Sequence, residues 1–256
     1  MSEKQVRQMK KLQIKLNAFE SLDSTNTYLK KLAAEGAGEG TAVIANAQTA
    51  GRGRMGRSFA SAQGLGVYMS LLLRPDCAAS CAQSLTANTA AAVCMAIETV
   101  SGVKPEIKWV NDLYLKGKKI CGILCESAVS GDKLDYAVIG IGLNVITRPE
   151  DFPEELRHTA GSIYSQTGLI IERGKLISAI LTELGGMYAA WCEDKSAYLN
   201  EYKSRCTMLG RVVTVISPDG DYDALAKDIT PDFGLVVETV DGETRTLHSG
   251  EISVKI

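Results

Sequence analysis

The spacing of apolar and polar residues changes several times along the chain, and each spacing predicts an element. A first helix is expected over residues 25–35, with Asp23 or Ser24 as N-cap and Gly36 and Gly38 as its stop. The runs VIANAQ (43–48) and GVYMSLLLR (66–74) read as strands. An uncharged stretch from Ala78 to about Val100 reads as a long central helix. Ser, Thr, Gln and Asn recur through it, so a buried helix explains it better than a membrane span. PEIKWV (105–110), KKICGILCESAV (118–129) and LDYAVIGIGLNV (134–145) read as strands, and the turns at Gly117 and Gly131 make them antiparallel neighbours. Helices follow at 172–191 and 194–205.

Past Cys206 the texture changes to short strands separated by Pro-Asp-Gly, Pro-Asp-Phe-Gly and Asp-Gly turns, which predicts a small β-barrel. The expected architecture is therefore α+β: a catalytic-sized unit over 1–206 and a β appendage over 207–256. No internal repeat or low-complexity tract interrupts it.

Composition narrows the function. Of 256 residues, 45% are apolar and the formal net charge is -2, so the chain lacks the basic surplus of proteins that grip long nucleic acids. The start MSEKQVRQMKKLQ is charged and has no apolar core, so no signal peptide and no membrane association are expected, and the compartment is read as cytoplasmic. Seven cysteines, an odd number with no C-x-x-C, argue against a disulfide framework. The two C-x-x-x-C pairs could be zinc half-sites, but small apolar filler in a reducing compartment is the favoured reading.

Against this balanced background GRGRMGRSF (51–59) stands out, with Arg52, Arg54 and Arg57 set between Gly51, Gly53 and Gly56. Glycines let backbone N–H groups approach a ligand, and guanidinium forks add charge-assisted hydrogen bonds, so the chemistry is that of a phosphate or carboxylate site. The spacing is not a Walker loop, and a strand rather than a helix follows, so it is not a dinucleotide fingerprint. A solvated basic loop, or one that grips a nucleic-acid backbone, is the plainer alternative.

Three further clusters bear on it. In KWVNDLYLKGKKICGILCE, Asn111 and Asp112 end a strand, where they can hold Mg²⁺ beside substrate phosphates or simply form an Asx-turn. Lys119 opens the next strand and either aims at the same place or is an ordinary edge lysine. In LDSTN (22–26), Ser24, Thr25 and Asn26 are either helix caps or a row of polar groups for a small ligand head, which Gln48 can also serve. In GIGLNV (140–145), Asn144 offers a donor and an acceptor suited to the edge of an adenine.

In order and spacing, DSTN, AQTAGRGRMGRSF, KWVNDLYLKGKKICGILCE and GIGLNV resemble the biotin–protein ligases, and DGETRTLHSGEISVKI is similar to that family's terminal barrel. The resemblance spans about 20–256. It implies a catalytic fold of the class II aminoacyl-tRNA-synthetase type with an SH3-like C-terminal barrel. The implied reaction has two steps: biotin and MgATP give biotinyl-5′-AMP, and the biotinyl group then passes to one lysine of a biotin carboxyl carrier protein domain of a biotin-dependent carboxylase. Carried over position by position, Ser24, Thr25, Asn26 and Gln48 line the ureido end of biotin. Gly51, Arg52, Gly53, Arg54, Lys119 and Gly122 complete the biotin site. Arg52, Arg54, Arg57, Asn111, Asp112, Lys119 and Asn144 face ATP, and Asp112 and Asn111 face Mg²⁺. Lys119, Arg54 and Asp112 are the implied catalytic groups.

Two departures stand in the motif: the family usually has Pro where Val110 stands, and often Trp where Phe59 stands. Larger members carry an N-terminal helix-turn-helix, and the 13 residues before Ile14 are too few for one, so no specific DNA binding is expected. A monomer or weak homodimer is expected. Lipoate or octanoyl transferases share the implied fold but lack the GRGRMGR loop followed by KWVND.

Overall fold

The structure is a computed structural model that describes residues 12–217, 220–248 and 253–255. Its larger sheet holds β1 (Lys15–Leu22), β2 (Thr41–Gln48), β3 (Gly66–Leu73), β4 (Glu106–Lys108), β5 (Asp112–Leu115), β6 (Lys118–Ser130) and β7 (Lys133–Asn144), in the order β1-β2-β3-β7-β6-β5-β4. The β1–β2 pair is parallel and all other pairs are antiparallel. β3 is buried along its whole length, which explains why its sequence does not alternate.

The two faces of β3 have different tasks. Val67, Met69, Leu71 and Leu73 point into the main core with α2 (Ala82–Ser101) and α4 (Arg173–Glu193). Leu72 points the other way, into a smaller cluster with Leu29 and Ala33 of α1 (Thr25–Ala34). Ser70 shares that second face by the two-residue period of a strand. It is fully buried and sits beneath the start of α1.

Five short strands form a second, antiparallel sheet: β8 (Val212–Ile216), β9 (Tyr222–Ile229), β10 (Leu235–Thr239), β11 (Thr244–Leu247) and β12 (Ser253–Lys255), in the order β11-β10-β9-β8-β12. It docks on the turn between β4 and β5. Trp109 Nε1 donates to Phe233 O at 2.8 Å, and Phe233 meets the Tyr202 ring edge-on at 5.3 Å. Tyr202, on α5 (Leu199–Arg205), donates to Val110 O at 3.2 Å. The bond between Trp109 and Val110 is cis. The small sheet thus supports the turn that carries Asn111 and Asp112.

Several expectations need correction. β1 was not predicted: it is an edge strand with no fully buried residue, so its apolar pattern is faint. The strand expected over 105–110 is a three-residue strand that turns at Trp109 and returns as β5. The uncharged helix begins at Ala82 after a 3₁₀ turn over Ala79–Cys81, and the last helix begins at Leu199 rather than 194. The helix α3 (Ile163–Thr167) and two 3₁₀ turns, Pro149–Asp151 and Glu154–Leu156, fill a stretch that the sequence left unassigned. Residues 249–252 of the SGEI segment lie outside the described residues. Among the described residues no helix is long and apolar enough to cross a membrane.

Candidate active site

The cationic segment folds as a short hairpin. Arg52 bridges Ser58, Phe59 N donates to Gly51 O at 2.9 Å, and Gly53 N donates to Arg57 O at 2.7 Å. A 3₁₀ turn over Arg54–Gly56 closes it, with positive φ of 54° at Met55 and 73° at Gly56. Gly51 is needed for close approach: a Cβ there would stand 2.3 Å from Phe59 O and 2.7 Å from Ser61 Oγ. The hairpin covers a cavity of about 380 Å³ on the face of the sheet opposite α2.

One end of the cavity is a chain of hydrogen bonds. Ser24 caps α1, accepting from Thr27 N, so the first helical residues, Thr25 and Asn26, turn inward and are buried. Ser61 donates to Phe59 O at 3.1 Å, so its oxygen accepts from Gln48 Nε2 at 2.8 Å. That fixes the Gln48 amide, whose oxygen takes Thr25 N at 2.8 Å and Thr25 Oγ1 at 3.1 Å. Ser70 Oγ lies 2.8 Å from Thr25 Oγ1 and 2.6 Å from Asn26 Oδ1. Asn26 Nδ2 donates to Glu126 Oε2 at 3.0 Å and to Leu124 O at 3.2 Å. A Cβ on Gly140 would reach within 2.2 Å of Asn26 Oδ1, so only glycine leaves the amide its place.

Glu126 carries this chain out to the cations. Its Oε1 receives Lys30 Nζ at 2.8 Å and lies 3.4 Å from an Arg52 nitrogen. Burial pushes its carboxyl up. The hydrogen bonds of Lys30 and Asn26 and the charges of Lys30 and Arg52 outweigh that and hold it below the usual carboxylate range.

At mid-cavity Lys119 Nζ lies 2.7 Å from Asp112 Oδ1. The approach is not aligned as a hydrogen bond, and that oxygen is hidden from solvent. It therefore has charge compensation but no directed donor. Asn111 is held at both ends: its nitrogen donates to Ile123 O at 2.8 Å, and its oxygen accepts from Arg54 at 2.9 Å. Burial lowers the Arg54 pKa, while Asp112 raises it and Arg57 lowers it. Lys118, on the other face of β6, donates instead to His158 O at 2.5 Å.

The far end is apolar apart from its rim. Asn144 is buried and donates to Gly161 O at 3.0 Å. Phe152 and Leu156, from the 3₁₀ turns, form a wall beside it. The Phe59 ring lies on the cavity floor over Gly142, where a Cβ would come within 2.6 Å of it.

Of the residues expected from the sequence, Ser24, Thr25, Asn26, Gln48, Arg52, Gly53, Arg54, Arg57, Asn111, Asp112, Lys119, Gly122 and Asn144 all line this one cavity, while Gly51 sits behind it. Ser70, Ser61, Lys30 and Glu126 were missed. Glu126 ends the quoted KWVND segment, and a lone carboxylate on an otherwise apolar strand is the signal that was available.

Comparison with known proteins agrees with this geometry. The Biotin/lipoate A/B protein ligase family matches residues 18–144, and the Biotin protein ligase C terminal domain matches 208–255. The bifunctional ligase/repressor BirA of Bacillus subtilis is 42% identical over 234 residues, covering 91% of this chain and 72% of that protein. The biotin–[acetyl-CoA-carboxylase] ligase of Mycobacterium tuberculosis is 30% identical over 243 residues, covering 93% of this chain and 88% of that protein. The structure of the biotin protein ligase from Aquifex aeolicus in complex with biotin and ATP superposes with a TM-score of 0.81 at 29% identity, covering 94% of this chain and 98% of that one. The chain belongs to the biotin protein ligase family.

Proposed function

We propose that this protein activates biotin with ATP to biotinyl-5′-AMP and transfers the biotinyl group to a lysine of a biotin carboxyl carrier protein domain, in the cytoplasm. The observation that carries the reading is one cavity with a polar head end, a lysine–carboxylate pair at its middle and three arginines on the hairpin above it. In the first step a carboxylate oxygen attacks the α-phosphorus and pyrophosphate leaves. Two anions must meet, and fixed cations in a site screened from water offset their repulsion. Lys119 is placed to follow the negative charge from the carboxylate to the acyl-phosphate oxygen. Arg52, Arg54 and Arg57 hold the phosphates from above. In the second step an uncharged lysine amine attacks the acyl carbon, the C–O bond to phosphate breaks, and AMP leaves. No protein nucleophile is needed, so orientation and charge do the work.

Mg²⁺ takes one carboxylate plus substrate phosphates, and Asp112 Oδ1, buried without a hydrogen-bond donor, would be the carboxylate that holds it. When bound it would neutralise phosphate charge. The Asn111 oxygen, which accepts from Arg54, is the second ligand of this proposal. Residues 1–206 supply this chemistry in our reading, and 207–256 brace the turn that presents Asn111 and Asp112.

The deciding experiment is exchange of labelled pyrophosphate into ATP. Biotin should support the exchange while lipoate and octanoate do not. Exchange driven by either of those acids instead would overturn the assignment.

A further inference from the structure

We propose that Glu126 is a positioning residue: it sets the hydrogen-bond direction of the cavity's head end and tethers Arg52 of the hairpin to α1. The inference rests on the reading that this end takes the ureido ring of biotin.

The first half follows from counting protons. A carboxylate oxygen and the Leu124 carbonyl can only accept, and both face one end of the Asn26 amide. That end must be nitrogen, so the oxygen faces Ser70. Ser70 has one hydroxyl proton, and Asn26 Oδ1, at 2.6 Å, takes it. Thr25 Oγ1 then meets acceptors on two sides, Ser70 Oγ and Gln48 Oε1, and its own proton is used between them. What Thr25 has left for the cavity is lone-pair density. A ring N–H is the ligand group that fits it. With an amide in place of the carboxylate, the Leu124 carbonyl alone still holds the Asn26 nitrogen; where Asn26 reverses, the Ser70 proton turns to Thr25, the Thr25 proton goes to Gln48, and a lone pair that Thr25 offered to the ligand N–H is occupied.

The second half follows from charge. Among the described residues Glu126 is the carboxylate that pairs with Arg52, at 3.4 Å, and it holds Lys30 at 2.8 Å on the same oxygen. Its side chain is only 15% exposed, so solvent screens this anchor weakly. Hairpin and helix are thus fastened to one group, which also senses the head of the ligand through Asn26.

The test uses Glu126→Gln and Glu126→Asp in the full chain, with two readouts and thermal unfolding as the control. Calorimetric titration should show biotin binding weaker by about 10- to 100-fold in E126Q, the range expected when a buried partner is left unpaired, and by less in E126D, which keeps an acceptor-only group. Trypsin acting on the unliganded protein should cut after Arg52, Arg54 or Arg57 several-fold faster in E126Q than in the wild type. Wild-type affinity and wild-type cleavage in E126Q would overturn the inference, as would losses that follow the fall in melting temperature alone. Should E126Q fail to fold, E126D carries both readouts, and wild-type values for it overturn the inference. A wild-type protein that binds no biotin would sink the functional reading instead, while the cleavage result, obtained without ligand, still judges the tether.

Discussion

Lys119 and Asp112 lie on adjacent antiparallel strands and meet at 2.7 Å, although seven residues and a turn separate them in the chain. A bulge between Leu113 and Tyr114 shifts the register so that Lys119 stands opposite Tyr114 while its ammonium reaches back to Asp112. The pair leaves the ammonium anchored but not saturated, since a lysine has three protons to give.

Lys119→Ala is therefore expected to keep the fold and to lower kcat by about 10²–10³-fold in both half-reactions, with a smaller change in KM. The Lys118 side chain points away to His158 O, so Lys118→Met is the matched comparison. Single-turnover assays of adenylate formation and of transfer measure each step. Equal defects in the two variants would show that the ammonium near Asp112 has no special part.

The junction between the sheets gives a stability prediction. Phe233 is fully buried, and its carbonyl takes the Trp109 indole N–H. Phe233→Ala should cost about 3–5 kcal/mol in urea unfolding, as other large-to-small changes at aromatic core positions do. Because Trp109 lies two residues before Asn111, ATP affinity should fall as well. Lost stability with unchanged ATP affinity would confine the small sheet to a structural role. Deleting 207–256 is a poorer test, because it uncovers Trp109 and Tyr202 together.

How much of this was legible in the sequence depends on how local each signal is. The hairpin cations and the Asn111–Asp112–Lys119 group lie within short segments whose glycines and charges announce a turn at a ligand. Ser70 could not be read, because one serine in a strand buried throughout looks like core filler. Glu126 gave only a faint sign, because its partners Lys30 and Asn26 lie 96 and 100 residues earlier. β1 escaped because an edge strand buries little. The turn itself was expected at Asn111 and Asp112, but the return strand β5 escaped because its four residues, Asp112–Leu115, are too short to show an alternating pattern. Patterns report burial and local chemistry, whereas these features arise from contacts between distant segments.

The ion pairs of Glu126 imply a pH dependence with a definite sign. Its carboxyl is depressed in the folded protein, so its contribution is complete above the unfolded value of about 4.3 and is lost as pH falls from there through the folded value. Lys30 of α1 and Arg52 of the hairpin are the charged groups that face it. Amide hydrogen exchange at Gly53 and Arg57, corrected for the intrinsic rate, should therefore speed up as the pH drops through that window. E126Q should already be fast and show little further change. A wild-type profile parallel to that of E126Q would mean that another group controls the hairpin.

Gly142 and Phe59 give the last prediction. A Cβ at Gly142 would come within 2.6 Å of the Phe59 ring, whereas one at Gly122 keeps an ordinary 3.5 Å from both that ring and Lys119. Gly142 has no left-handed backbone angle, so the cost of an alanine there is steric and falls on the ring. Phe59 sits at the foot of the hairpin, so a ring displaced from Gly142 disturbs the cavity and the hairpin above it. Gly142→Ala should thus weaken nucleotide binding strongly with a modest loss of stability, and Gly122→Ala should leave stability unchanged. Adding Phe59→Leu, which shortens the ring's reach, should recover part of the binding lost in Gly142→Ala while weakening binding in the wild-type background. That pattern is a coupling of about 0.5–3 kcal/mol in a double-mutant cycle. Strict additivity of the two changes would show that the ring does not rest on Gly142 when the site is at work.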